Sequence, residues 1–178
     1  MMQKESLREL ITKMKKCKII LFIIIIFSLG ITQDGITSAQ LEAIKKLTEN
    51  INTAPDFTLT SLDDSTYTLS NMKDNVVLVN FWATWCAPCR MEIPDFNELY
   101  LKHHKEGFEI LGVAMDGSKK SLKNFTKSYT IEYPILYGSA RDLNKVSMDY
   151  GGVMSLPTSV LIGKNNEVIR TYPGAILK

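Results

Sequence analysis

The sequence predicts an α/β fold in three layers: a central mixed β-sheet, helices on both faces, and an N-terminal β-hairpin. Three observations predict it. Two apolar runs, "NVVLVNFW" at 75–82 and "FEILGVAM" at 108–115, are continuous and bounded by polar turns, as strands buried on both faces are. Segments with apolar residues at helical spacing follow them, and strands alternating with helices argue a layered sheet. Alternating segments at both ends enclose turn residues and read as hairpins.

The elements follow in chain order. "AQLEAIKKLTEN" at 39–50 is a short polar helix or linker. In "APDFTLTSLDDSTYTLS", Phe57 and Leu59 share a face, as do Tyr67 and Leu69, across a turn of Asp63, Asp64 and Ser65. Strand 75–82 leads into a helix after Cys86, where Ile93, Phe96, Leu99 and Tyr100 recur at helical spacing and Gly107 closes the segment. Strand 108–115 precedes a helix over 118–129 with Leu122 and Phe125 inward. "YPILYG" is a short strand and 141–151 a third helix. "TSVLIG" and "EVIRTY" form a hairpin across "KNN", where Asn165 or Asn166 can take positive φ.

The 178 residues suffice for one domain plus extras, and 45% apolar with 22% charged residues is ordinary for a globular chain. The net charge of +2 arises at the front: residues 1–39 hold six basic and three acidic residues, leaving fifteen and sixteen in the body. A near-neutral body without a basic stripe gives no reason to expect nucleic acid as a partner. Three cysteines, Cys17, Cys86 and Cys89, are too few for a disulfide-stapled scaffold.

Residues 1–39 read as a signal peptide or membrane anchor. Lys13, Lys15, Lys16 and Lys18 precede an apolar run from Ile19 to Ile31, short for a permanent span, and "TSA" at 37–39 offers small residues for cleavage. Met14 is an alternative start. The basic flank places the body outside the cytoplasmic membrane, in the periplasm or on the outer membrane face, with membrane contact only through 19–31 if uncleaved. Cys17 then cannot partner Cys86 or Cys89. Residues 40–53 are expected as linker or short helix, and 54–178 as the domain.

The chemistry sits in "NFWATWCAPCRMEIP". Cys86 falls at a helix N-terminus, where unpaired N–H groups and the macrodipole favour a thiolate. Cys89 is one turn on, near enough to close a disulfide and to resolve a mixed disulfide. A metal site needs about four ligands, and His103 and His104 lie some four turns down the helix. A C-x-x-C loop constrains too little chain for a purely structural disulfide to matter. No metal and no cofactor is expected.

"FWATWCAPC" after a buried strand resembles the thioredoxin superfamily, and "WCAPCRMEIP" is similar to its exported TlpA/ResA-type reductants. The likeness extends over roughly 54–174, including "LPT" at 156–158 and the last hairpin. It implies Cys86 as exposed nucleophile and Cys89 as buried resolving thiol. It implies Trp85, Pro88, Leu156 and Pro157 at the substrate, with Trp85 shielding the pair and Pro157 in cis. It also implies Glu92 as a partly buried carboxyl of raised pKa that exchanges a proton with Cys89. Arg90 reads as a surface charge and Pro94 as a helix kink. Two departures stand out: Gly163 occupies a position where the family commonly has Asp, and the chain stops at "GAILK", so the family's C-terminal helix is expected to be absent or truncated.

The resemblance implies an exported thiol–disulfide oxidoreductase. It would draw electrons from a membrane thiol donor and reduce disulfide-bearing exported proteins, apocytochrome c among them. Two other readings compete. A peroxiredoxin-like thiol peroxidase would need Thr or Ser where Ala83 stands and Pro where Val79 stands. A non-enzymatic redox-sensitive binding module would not need an intact WCAPC.

Overall fold

The structure is a computed structural model that describes residues 37–116 and 118–176. The apolar run from Ile19 to Ile31 and Cys17, with most of the expected leader, lie outside the described residues. Among the described residues no helix is long and apolar enough to cross a membrane.

The chain divides into two units between Lys45 and Lys46. Helix α1 (Ser38–Asn52) occupies the expected linker region, and the division falls within it. Its start is capped reciprocally: Gln40 N donates to Thr37 Oγ1 and Thr37 N donates to Gln40 Oε1.

The second unit holds a seven-stranded sheet in the order β2-β1-β5-β4-β3-β6-β7. Strands β1 (Thr58–Ser61) and β2 (Thr66–Thr68) form the leading hairpin, with Leu59 opposite Tyr67 and Asp64 turning at φ 69°. The central strands are β3 (Val76–Trp82) and β4 (Phe108–Ala114), parallel from Val76↔Phe108 to Trp82↔Ala114. Strand β5 (Ile135–Tyr137) runs parallel to β4 and antiparallel to β1. Strands β6 (Thr158–Ile162) and β7 (Val168–Pro173) close the sheet antiparallel. Both Asn165 and Asn166 take positive φ, 61° and 60°, in the connection between them.

The two central strands show why both runs are apolar except at Asn80 and Glu109. Alternate residues Val77, Val79, Phe81, Leu111 and Val113 face Leu143 and Val146 of α4 (Ala140–Asp149). The intervening Leu78 and Ile110 pack with Phe96 of α2 (Ala87–His103). Trp82 and Ala114 pack with Cys89 and with Leu122 of α3 (Lys119–Phe125). A period-two strand between two helical layers has no solvent-facing side, so a polar residue in it must find a buried partner. Each aliphatic or Phe side chain so buried is worth about 1.5–3 kcal/mol.

Helix α3 is shorter than the 118–129 segment expected. A capping box between Ser118 and Ser121 starts it. After Phe125 the chain tightens into turns, with Lys127 N bonded to Asn124 O and Ser128 N to Phe125 O. "TKSYT" is rich in weak helix formers, and little apolar surface is left there to hold a further turn. Among the described residues no helix follows β7. Instead, Ile176 packs onto Leu78, Phe96, Ile110 and Tyr133, the α2 face of the sheet.

Candidate active site

Strand β3 delivers the site. Its last residue, Trp82, is 2% exposed and bonded through its carbonyl to Met115 N, so the chain leaves the sheet at a fixed point. The next turn is held at three places. Thr84 N and Oγ1 donate to the two carboxylate oxygens of Asp116 at 2.9 and 2.6 Å, the Arg90 guanidinium donates to Thr84 O at 2.9 Å, and Cys86 N donates to Ala83 O at 3.1 Å. Arg90, expected as a surface charge, is half-buried and braces this turn from the helix side.

Cys86 is the N-cap of α2, in extended backbone, and its sulfur accepts from Cys89 N at 3.3 Å. Pro88 sits in the first turn, where its missing N–H costs nothing. Cys86 and Cys89 are joined in a disulfide with Cα atoms 5.3 Å apart. This is the oxidised state of the pair. When it is reduced, the sulfur of Cys86 faces the unpaired N–H groups of the first turn, which favour its thiolate. The expected contrast in exposure is absent: Cys86 is 5% and Cys89 3% exposed. Trp85, beside the pair, is 69% exposed. Leu156, from the loop before β6, is among the side chains that pack onto the cysteine cluster. The Leu156–Pro157 bond is cis, and Pro157 is buried.

Glu92, one turn beyond Cys89, is 1% exposed. Its Oε1 accepts from Ile176 N at 2.5 Å, while Oε2 has no hydrogen-bond partner. Burial pushes its carboxyl up to about 7; the Ile176 amide and the Asn80 side chain pull the other way, and the nearby Asp95 pushes up again. A carboxyl titrating near neutrality in a dry site can hold or release a proton at little cost. Tyr133, buried beneath it, has its phenol pushed up by burial and by the charge of Glu92.

The two histidines take no part. His103 pairs with Glu106 at 2.8 Å and His104 with Glu109 at 3.4 Å, at the far end of α2. Pro94 lies within α2 with its ring exposed. Gly163 turns in ordinary backbone (φ −86°), and a Cβ there would meet Ile169 Cδ1 at 2.9 Å.

Sequence reasoning missed four contributors: Asn80, Ser159, Asp116 and the Ile176 amide. One signal was present. Asn80 is the single polar residue in strand 76–82, and a polar side chain buried in a central strand needs a partner. It is 2% exposed and donates to Ser159 Oγ at 2.9 Å, directly across the β3–β6 pairing.

A disulfide across the first turn of a helix, at the end of a central parallel strand and near a buried cis-proline, defines a thiol–disulfide oxidoreductase of thioredoxin fold. Comparison with known proteins narrows the class. The model of the AhpC/TSA family matches residues 51–171. Thiol-disulfide oxidoreductase ResA of Bacillus thuringiensis subsp. konkukian is 38% identical over 121 residues, 68% of each chain. The structure also resembles a thiol:disulfide interchange protein of Chlorobium tepidum (TM-score 0.63, 31% identity, 70% of this chain and 87% of that one). A third likeness is to the pneumococcal exposed lipoprotein thioredoxin Etrx1 of Streptococcus pneumoniae (TM-score 0.61, 31% identity, 69% and 92%). The chain belongs to the AhpC/TSA family within the thioredoxin superfamily, and there to the ResA-type thiol-disulfide oxidoreductases.

Proposed function

We propose that the chain acts outside the cytoplasm as a reductant of protein disulfides, with Glu92 serving Cys89 as proton acceptor and donor. The Cys86 thiolate, its proton already lost to water, attacks one sulfur of a substrate disulfide, and the other leaves as a thiolate that takes a proton from water. Cys89 gives its proton to Glu92 and attacks the Cys86 sulfur, and the second substrate sulfur leaves as a thiolate that Glu92 protonates in turn, leaving the Cys86–Cys89 disulfide. The substrate gains two electrons and two protons. A membrane thiol donor returns them by the reverse sequence.

The observation that carries this reading is Glu92: a dry carboxyl, one turn from Cys89, titrating near neutrality. An exposed helix glutamate would titrate near 4.3 and could not share a proton with a thiol at neutral pH. Trp85, Pro88, Leu156 and Pro157 form the surface that meets the substrate, with the backbone at Leu156 pairing with an extended segment. Apocytochrome c, whose haem attachment requires reduced cysteines, is the substrate that the family resemblance suggests. Export is supported by the lysine-flanked run from Ile19 to Ile31 and by the likeness to an exposed lipoprotein.

The test is trapping. Cys89→Ser protein expressed in cells should accumulate substrates in mixed disulfides with Cys86, released by dithiothreitol and absent from Cys86→Ser protein. Recovery of no such adducts would refute the mechanism.

A further inference from the structure

Two groups outside its own helix favour the charged form of Glu92, the Ile176 amide and the Asn80 side chain. From the segment after β7, the Ile176 amide donates to Oε1 at 2.5 Å. From the sheet itself, Asn80 rises from the centre of β3 on the face that α2 covers, the face of Leu78 and Trp82. Its amide nitrogen has two hydrogens. One goes to Ser159 Oγ at 2.9 Å, which fixes the plane of the amide. The other is left for Glu92, whose Oε2 has no hydrogen-bond partner in a site 1% exposed and whose carboxylate the Asn80 side chain favours. Asn80 and Ser159 are 2% and 0% exposed, so neither is there to meet water.

We propose that Asn80, oriented by Ser159, and the backbone amide of Ile176 are positioning groups that clamp the Glu92 carboxylate beside Cys89 and favour its ionised form. The inference rests on the reading of Glu92 as proton partner of Cys89. Both donors stabilise the charge that burial opposes, so they keep the carboxyl within reach of neutrality instead of leaving it permanently protonated. The other groups facing Glu92 are Asp95 on α2, Tyr133 ahead of β5 and, when reduced, the Cys89 thiol. Asp95 disfavours the carboxylate through its charge. None of these three supplies a cation, so neutral donors carry the whole task.

The experiment follows the carboxyl carbon of Glu92 by NMR against pH in the oxidised full chain. The parent midpoint is about 7. Asn80→Ala removes one donor. Ile176→Pro removes the other N–H and keeps an apolar side chain. Each should raise the midpoint by about one pH unit, a tenfold change in ionisation, and together they should raise it further. If Asn80→Ala does not fold, Ile176→Pro decides the matter, since its site lies outside the sheet. Folded variants that melt earlier but keep the parent midpoint would overturn the clamp. Thiol exchange in Glu92→Gln separates the two ideas. If that variant exchanges normally while the midpoints still move, the clamp stands and the proton role of Glu92 falls.

Discussion

Asp116 grips Thr84 with both carboxylate oxygens, one on the backbone N–H at 2.9 Å and one on the hydroxyl at 2.6 Å. Thr84 lies two residues before Cys86, and Asp116 lies two beyond the end of the neighbouring parallel strand. The paired ends of β3 and β4 thus fix the approach to Cys86. Asp116→Ala leaves the Thr84 N–H without its partner. We expect a loss of about 1–3 kcal/mol in unfolding free energy, the cost of orphaning a half-buried donor. Disulfide exchange should slow as the turn before Cys86 loosens. Asp116→Asn, which keeps one acceptor, should lose less of both; equal losses would show that acceptor geometry is not what matters.

Glu92 makes a prediction about stability and pH. Its carboxyl has an ordinary value of 4.5 and is raised to about 7 in the folded, oxidised chain. The folded state therefore binds the proton more tightly than the unfolded state. The resulting stabilisation is complete below pH 4.5 and is lost as the pH rises through about 7. The span corresponds to roughly 3 kcal/mol. Denaturant unfolding of the oxidised protein should show this decline, and Glu92→Gln should flatten it within that window. A parallel decline in the variant would place the titration elsewhere.

Two glycines are predicted to differ. A Cβ on Gly112 would stand 3.0 Å from a Tyr133 ring carbon and 3.2 Å from Trp82 Nε1, both on buried rings. Gly112→Ala should cost about 1–3 kcal/mol by overpacking. At Gly163 the obstacle is the end of Ile169, a side chain 56% exposed and free to swing aside. Gly163→Ala should cost less than about 1 kcal/mol. Thermal melts of the two variants side by side decide this.

The architecture was legible because its strongest signals are local. The runs at 75–82 and 108–115 have no polar face, and a sheet between two helical layers demands that. The hairpins announced themselves by Asp64 and by Asn165 and Asn166, all at positive φ. The cysteine pair was legible because two residues of spacing on a helix leave few other uses. What stayed hidden depends on contacts distant in sequence. Ser159 is 79 residues from Asn80 and Ile176 is 84 from Glu92, and no periodicity encodes such pairings.

The family match extends to proteins of the AhpC/TSA kind, so a peroxidase activity needs a direct assay. Ala83 is 0% exposed and has no hydroxyl to orient a peroxide next to Cys86. With dithiothreitol as donor, the protein should consume hydrogen peroxide no faster than Cys86→Ser does. Rapid, Cys86-dependent turnover would favour the peroxidase reading.

The central claim is that this pair gives electrons. Equilibrating the purified protein with glutathione or dithiothreitol buffers at pH 7 and quantifying the Cys86–Cys89 disulfide measures its reduction potential. A pair that gives electrons should show a value near the roughly −270 mV of thioredoxin. A value near roughly −120 mV, that of a strong oxidant, would mean that the protein makes disulfides, and would contradict its reading as a reductant.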